Sequence, residues 1–269
     1  MRRQMRQNLV LASIVALAAV AVWLVVRSEQ AKLGQPLTAI DTKYTKEILV
    51  RNGDKPPRRF ERRDGVWWMR EPYQLPAHAD AVARLLAIAR TAPRSRHARA
   101  QFELARIGLD PPQAVLTLDG ETIAFGLTDA IRGDRYVLSD QTVALMPDRF
   151  SAWLLAPAES ELDHRLAAPL GTITEVIIDG QSRPELAAAW QQVTTSQVVA
   201  VQDAPPASGT IAVELGAADG ARVRYTLWRR DDGRYAALRG EPALLYPLDE
   251  IQMQHLLPAT PAGAATTVH

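Results

Sequence analysis

The residues able to do chemistry are few and scattered. Five histidines occur: His78, His97, His164, His255 and His269. No two stand four residues apart, the spacing that puts two imidazoles on one helix face to ligate a metal. Acidic side chains gather at Glu159, Glu161 and Asp163, and again at Asp231 and Asp232. Paired carboxylates can move protons or hold Ca²⁺, but neither group sits in a glycine-bearing calcium loop, so both read as solvated loop charge. Cysteine is absent, which removes disulfides, zinc-thiolate sites and thiol nucleophiles. G-x-S-x-G, S-x-x-K, the Walker A phosphate loop and G-x-G-x-x-G are absent too. The sequence therefore predicts a non-enzymatic protein with no catalytic residue, no metal site and no cofactor.

What remains is a candidate contact surface. Arg58, Arg59, Arg62 and Arg63 form a basic cluster followed by Trp67, and Arg94, Arg96 and Arg99 form a second cluster. One reading is solubilising charge on an edge strand and a loop. The other is contact of Arg58, Arg59, Arg62, Arg63 and Trp67 with anionic lipid headgroups or an acidic partner. Trp67 and Trp68 are adjacent, so on a strand they face opposite sides, one toward the core and one outward. Trp153, Trp190 and Trp228 lie in apolar patterns and are expected in the core or between lobes. A formal net charge of +1 gives no reason to expect a nucleic-acid partner.

The element that would position all of this is Leu9 to Val26, which reads LVLASIVALAAVAVWLVV without a charge. As a helix it is about 27 Å long, near the roughly 30 Å hydrocarbon core. Arg2, Arg3 and Arg6 precede it, while Arg27 alone follows closely. The positive-inside rule then keeps residues 1–8 in the cytoplasm and exports the rest across the bacterial inner membrane. Ala19-Val20-Ala21 also matches a signal-peptide cleavage site. The apolar run continues through Val26, however, where a cleaved leader would turn polar, so an uncleaved anchor over residues 9–26 is expected.

After the anchor, residues 27–45 read as a tether. Residues 46–157 read as a first α+β lobe: a strand at Lys46–Val50, a hairpin turning at Asp64-Gly65, and a helix over 77–90 with Val82, Leu85, Leu86 and Ala89 on one face. Thr91–Ala100 reads as a polar connector and Gln101–Ile107 as a short helix stopped by Gly108. A meander follows, with a second turn at Asp119-Gly120 and a closing helix over 147–155. Residues 158–169 read as a linker. Residues 170–258 then repeat the pattern, with Ser182 a candidate N-cap before Pro184. Arg234-Tyr235 matches Arg135-Tyr136 and Pro247 matches Pro147. The fold class expected is α+β: one N-terminal transmembrane helix, then two related lobes of antiparallel β-meander with packed helices. Residues 259–269 are expected to be disordered.

Several residues carry a family resemblance. Trp68 before Pro72, the helix bearing Val82, Leu85 and Leu86, the run Gly108-Leu109-Asp110-Pro111, the strand Val115-Leu116-Thr117-Leu118, Gly126, and Tyr136-Val137 together resemble the domain of unknown function 4340. The resemblance covers about residues 46–157 well and the rest more loosely. It implies a bacterial envelope protein with one membrane helix, associated with ABC-type transporter components, and it carries over no catalytic residue. The expected partners are the membrane and ABC transporter permease or ATPase subunits. The alternative function is a periplasmic lipid- or glycan-binding module with a cleft between its lobes, lined by Trp67, Trp153 or Trp190.

Overall fold

The computed structural model describes residues 14–23, 27, 34–201 and 205–257. Of the expected anchor over 9–26, residues 14–23 are helical and exposed along their whole length. Residues 9–13 and 24–26, residues 1–8, expected in the cytoplasm, and the tail 259–269 lie outside the described residues. Among the described residues no helix is long and apolar enough to cross a membrane.

The rest is mostly antiparallel β-structure with a few helices, α+β-like, in two sheets. The first part of the chain contains β1 (Glu47–Arg51), β2 (Arg58–Arg63), β3 (Val66–Glu71), β4 (Leu75–Pro76), helix α1 (Ala79–Ala89) and β5 (Ser95–Ala98). Next come β6 (Ala114–Leu118), β7 (Glu121–Thr128), β8 (Asp134–Ser139), β9 (Thr142–Pro147) and α2 (Ser151–Leu154). The second part contains β10 (Ile173–Ile178), β11 (Gln181–Ser182), α3 (Ala187–Gln192) and β12 (Val199–Ala200). It ends with β13 (Ile211–Ala217), β14 (Arg222–Arg229), β15 (Tyr235–Arg239), β16 (Leu244–Leu248) and α4 (Glu250–Leu256). The nine-stranded sheet has the order β4-β3-β2-β1-β6-β7-β8-β9-β5 and the seven-stranded sheet β11-β10-β13-β14-β15-β16-β12. All four outermost strands are four residues or shorter, which limits the unpaired edge offered to other chains.

By packing, the chain forms two compact units that interleave in sequence. One takes the described residues up to Thr45, Leu49–Lys55 and Arg84–Leu154; the other takes Lys46–Ile48, Pro56–Ala83 and the described residues from Leu155 on. The core of the first includes Leu85, Ile88, Leu116, Ile123, Phe125, Val137, Met146 and Leu154, with the Phe125 and Phe150 rings edge to face at 5.4 Å. The core of the second centres on Trp190, Tyr225 and Tyr246, whose rings follow one another at 6.2 and 5.9 Å. The Tyr225 hydroxyl, buried there, donates to the Leu166 carbonyl at 2.6 Å. Burial first, and the neighbouring Tyr246 second, raise that hydroxyl's pKa against the opposing charge of Arg239.

Both Asp-Gly turns form as the sequence predicts, because Asp and Gly tolerate the left-handed conformation that a tight hairpin needs. Asp64 and Gly65 have φ of 50° and 82°, and Asp119 and Gly120 have 46° and 92°. Other expectations are corrected. The end of the tether is packed: Leu37 is buried and its N–H donates to the Thr91 carbonyl. The polar connector contains β5, paired with β9, since alternate residues of SRHA can hydrogen-bond outward at a sheet edge without an apolar face. The short helix expected over 101–107 takes 3-10 form, at Arg99–Gln101 and Leu104–Ile107, and the second ends at Gly108 as expected. Ser182 lies in β11 and caps nothing; Pro184 does open the turn that follows. Arg135 is buried within β8, whereas Arg234 lies exposed in the turn before β15, so those matching dipeptides differ in structural place.

Candidate functional site

The structure disperses the predicted arginine surface. Strand β2 is internal, between β3 and β1, so it offers no edge. Its residues alternate: Arg58 and Phe60 are buried, and Arg62 and Arg63 are exposed. Arg58, at 2 % exposure, belongs to the core and not to a contact surface. Its Nη1 donates to Glu161 Oε1 at 2.5 Å. Burial lowers the Arg58 guanidinium pKa from its ordinary value, opposed by the charge and hydrogen bond of Glu161.

Arg59 pairs with Glu71 at 3.3 Å, and Glu61 accepts from Arg63 at 2.9 Å and Arg70 at 2.8 Å. This face is therefore largely self-neutralised. Trp67 lies opposite Arg62 across the β2–β3 ladder and is half-buried, as is Trp68, with Arg70 5.9 Å from its ring centroid. The strand's core residue is Met69, so neither tryptophan takes the core role assigned to one of them. The second basic cluster is also engaged. Arg94 pairs with Asp134, and Arg96 donates to the carbonyls of Gln35 and Pro36.

The acidic run expected to be a solvated linker is instead packed into the second unit. Glu161 is buried, as are Leu162, Leu166, Ala167 and Ala168. The Tyr73 hydroxyl donates to Glu159. Burial first, and that bond second, raise the Tyr73 pKa well above its ordinary value. The His78 N–H donates to the Glu161 carbonyl at 2.8 Å, and the Asp163 N–H to the Pro76 carbonyl at 2.9 Å.

This docking brings His78 and His164 together with ring centroids 4.7 Å apart. No local spacing announces a pair eighty-six residues apart in the chain, because strand β4 and the 158–166 segment create it. The pair lacks acidic company for a metal: no group of three or more histidines and carboxylates placed to hold an ion occurs among the described residues. Asp163, the neighbouring carboxylate, is held by Arg165 at 2.5 Å.

Of the aromatic residues proposed to line a ligand cleft, Trp190 is fully buried core. Trp153 does line a cavity, one that lies within the first unit between α1 and α2. Its volume is about 320 Å³, and its wall includes Arg84, Ile88, Pro147, Arg149, Phe150 and Trp153. The Arg84 guanidinium carbon lies 5.7 Å from the Trp153 ring centroid. Arg84 is half-buried on the flank of α1, and Arg149 is exposed just before α2. An arginine on a helix's flank beside a tryptophan in a later turn is the only trace such a site leaves in sequence.

The residues that carry the resemblance have a packing role in the same unit. Gly108 has φ of 67° and stops the preceding turn. That turn lies directly on β7 at Gly126, where an added Cβ would stand 2.3 Å from the Ile107 carbonyl oxygen. Arg135 Nη1 donates to the Gly126 carbonyl at 2.5 Å and to Gln113, while its Nε holds Asp148 at 2.9 Å. Asp148 accepts from the Ser151 N–H and so caps α2.

The fold is thus a largely antiparallel, two-sheet α+β arrangement whose signature residues do packing work. Residues 67–187 match the model of a family described as domain of unknown function DUF4340. The match covers a little under half of the sequence and takes in every residue of the Gly-Leu-Asp-Pro turn, Gly126 and Arg135. No curated protein and no solved structure matches the chain.

Proposed function

We propose that the chain is a single-pass protein of the bacterial inner membrane whose bulk lies in the periplasm. There it serves as a non-enzymatic interaction module of an envelope complex such as an ABC-type transporter. The observation that carries this reading is the N-terminal helix. Residues 14–23 are helical with Ile14, Val15, Leu17, Val20, Val22 and Trp23 all more than half exposed. Ten consecutive uncharged residues left bare to water would be costly, whereas lipid would cover them at no such cost. Arg27 lies 5.0 Å from the Trp23 ring centroid, an arrangement suited to the membrane interface.

The finer architecture is part of the same proposal: an anchor followed by two related lobes. It is supported by strand order. The run β1-β6-β7-β8-β9-β5 of one sheet has the same connectivity as β10-β13-β14-β15-β16-β12 of the other. In both, an aspartate right after the last meander strand, Asp148 or Asp249, accepts from the N–H three residues on and starts a helix. Tethering beside the membrane raises the effective concentration of both units near a membrane partner, so modest contacts suffice. With Arg58 in the core, the surface left for such contact around β2 and β3 is Arg59, Arg62, Arg63 and Trp67.

The test is co-purification after brief in-cell crosslinking of the full-length chain. ABC permease or ATPase subunits recovered in stoichiometric amount support the reading. Their loss on replacing residues 9–26 with an unrelated anchor assigns the contact to the helix, and their retention assigns it to the exported part. Recovery of the chain from the soluble fraction, or without any partner protein, refutes it.

A further inference from the structure

The cavity between α1 and α2 has a feature that its surroundings do not explain. The Nε of Arg84 is buried and has no hydrogen-bond partner. A desolvated cationic donor without an acceptor is costly, so its usual place is opposite an anion. Arg149 stands exposed on the same wall, and no carboxylate is within ion-pair distance of either arginine among the described residues. Asp148, next to Arg149 in sequence, is already taken by Arg135 and Ser151. Most other basic clusters in the molecule are neutralised by neighbouring acids, as at Arg59, Arg94, Arg165 and Arg222. Apart from Thr91, whose hydroxyl donates to the Ala87 carbonyl, the remaining wall is apolar: Ile88 and Phe150 are 1 % and 3 % exposed, and Trp153, 37 % exposed, closes the side beneath Arg84.

We propose that this cavity binds an anionic amphiphile, with its phosphate or carboxylate on Arg84 and Arg149 and its apolar chain against Ile88, Phe150 and Trp153. The two halves of the site select both halves of the ligand. A bare inorganic anion would forgo the aromatic wall, and a neutral alkyl chain would leave the Arg84 donor unmatched. A volume of about 320 Å³ admits a head group and the first part of a chain. The ligand is either a membrane lipid or a soluble amphiphile of the same chemistry. The site stands on the first unit alone, whether or not the chain is anchored.

The test uses the full-length chain in nanodiscs of zwitterionic lipid, titrated with octyl phosphate and read by tryptophan fluorescence. A saturable response is expected, carried by Trp153 and therefore lost in Trp153→Phe. Arg84→Gln and Arg149→Gln should each weaken it at least tenfold with the melting temperature unchanged. If Arg84→Gln melts early, Arg149→Gln, on the exposed wall, still decides. Inorganic phosphate and octanol should each bind at least tenfold more weakly than octyl phosphate. A response that Arg149→Gln leaves intact, or equal binding of inorganic phosphate or octanol, would overturn the proposal. Repeating the titration in nanodiscs containing phosphatidylglycerol separates the sources. Weakened octyl phosphate binding there identifies a membrane lipid as the competitor, and unchanged binding identifies a soluble amphiphile.

Discussion

Replacing Glu161 by Gln should destabilise the protein far more than its place in an acidic loop suggests. Arg58 and Glu161 have side chains 3 % and 4 % exposed, and their atoms meet at 2.5 Å. The substitution keeps the shape and removes the charge that offsets Arg58's desolvation. Breaking a buried pair in this way costs about 3–5 kcal/mol. At about 2–4 °C per kcal/mol for a domain of this size, the melting temperature should fall by roughly 6–20 °C. Thermal unfolding of the full-length chain, followed by the fluorescence of buried Trp190 in the same unit, measures it. Salt should hardly change the effect, since buried pairs are weakly screened. The double variant Arg58→Met, Glu161→Leu should recover most of the loss, because two apolar side chains need no mutual neutralisation. A melting temperature for Glu161→Gln within a degree of wild type would refute the buried pair. A double variant as unstable as the single would refute the electrostatic account of it.

Gly126→Ala should cost about 1–3 kcal/mol or more, since its Cβ would lie 2.3 Å from a backbone oxygen, whereas Gly171→Ala, with no atom within 4 Å, should be neutral or slightly stabilising. Equal melting temperatures for the two would show that the turn does not press on β7. Asp249→Ala removes one half of a capping box in which Asp249 accepts from the Gln252 N–H and Gln252 accepts in return. It should cost about 1 kcal/mol and speed hydrogen exchange in Glu250–Leu256, and unchanged exchange there would count against the cap. The Glu214 carboxylate is held below its ordinary pKa by hydrogen bonds from Arg224 and then Arg222. A depressed carboxylate pKa adds stability above the unfolded value, lost as pH falls through the folded one. Glu214→Gln should therefore lower the melting temperature near neutral pH and match wild type in acid. The difference should be only about 1–2 °C because the pair is solvent-accessible. A variant less stable than wild type at about pH 3 as well would contradict the linkage.

Local chemistry was legible in the sequence; long-range neutralisation was not. The Asp-Gly hairpins, the apolar stripe of α1 and the meander strands follow from rules a few residues wide, and they stand where those rules put them. Residues 58–63 failed as a surface because alternation alone cannot say which arginine turns inward. Arg58 in the core is paired with Glu161, one hundred and three residues away. The same distance hid the histidine pair and turned an acidic linker into a buried segment. β5 was missed because SRHA has no apolar alternation, and its strand character comes from the β9 edge it completes.

The residues that carry the family resemblance hold the frame of the first unit together. Gly108 turns the chain, Gly126 lets that turn lie on β7, and Arg135 ties the Gly126 carbonyl to Asp148, which caps α2. Each residue holds one element against the next, and none faces the cavity between α1 and α2. The consequence is a division of labour within one unit. The signature fixes where α2 begins, and α2 carries Trp153 to within reach of Arg84. A chain with the same Gly-Leu-Asp-Pro turn but no arginines at the positions of Arg84 and Arg149 would keep this fold and lose the anion site. The resemblance residues therefore account for the scaffold, while the proposed ligand contacts lie on the cavity wall.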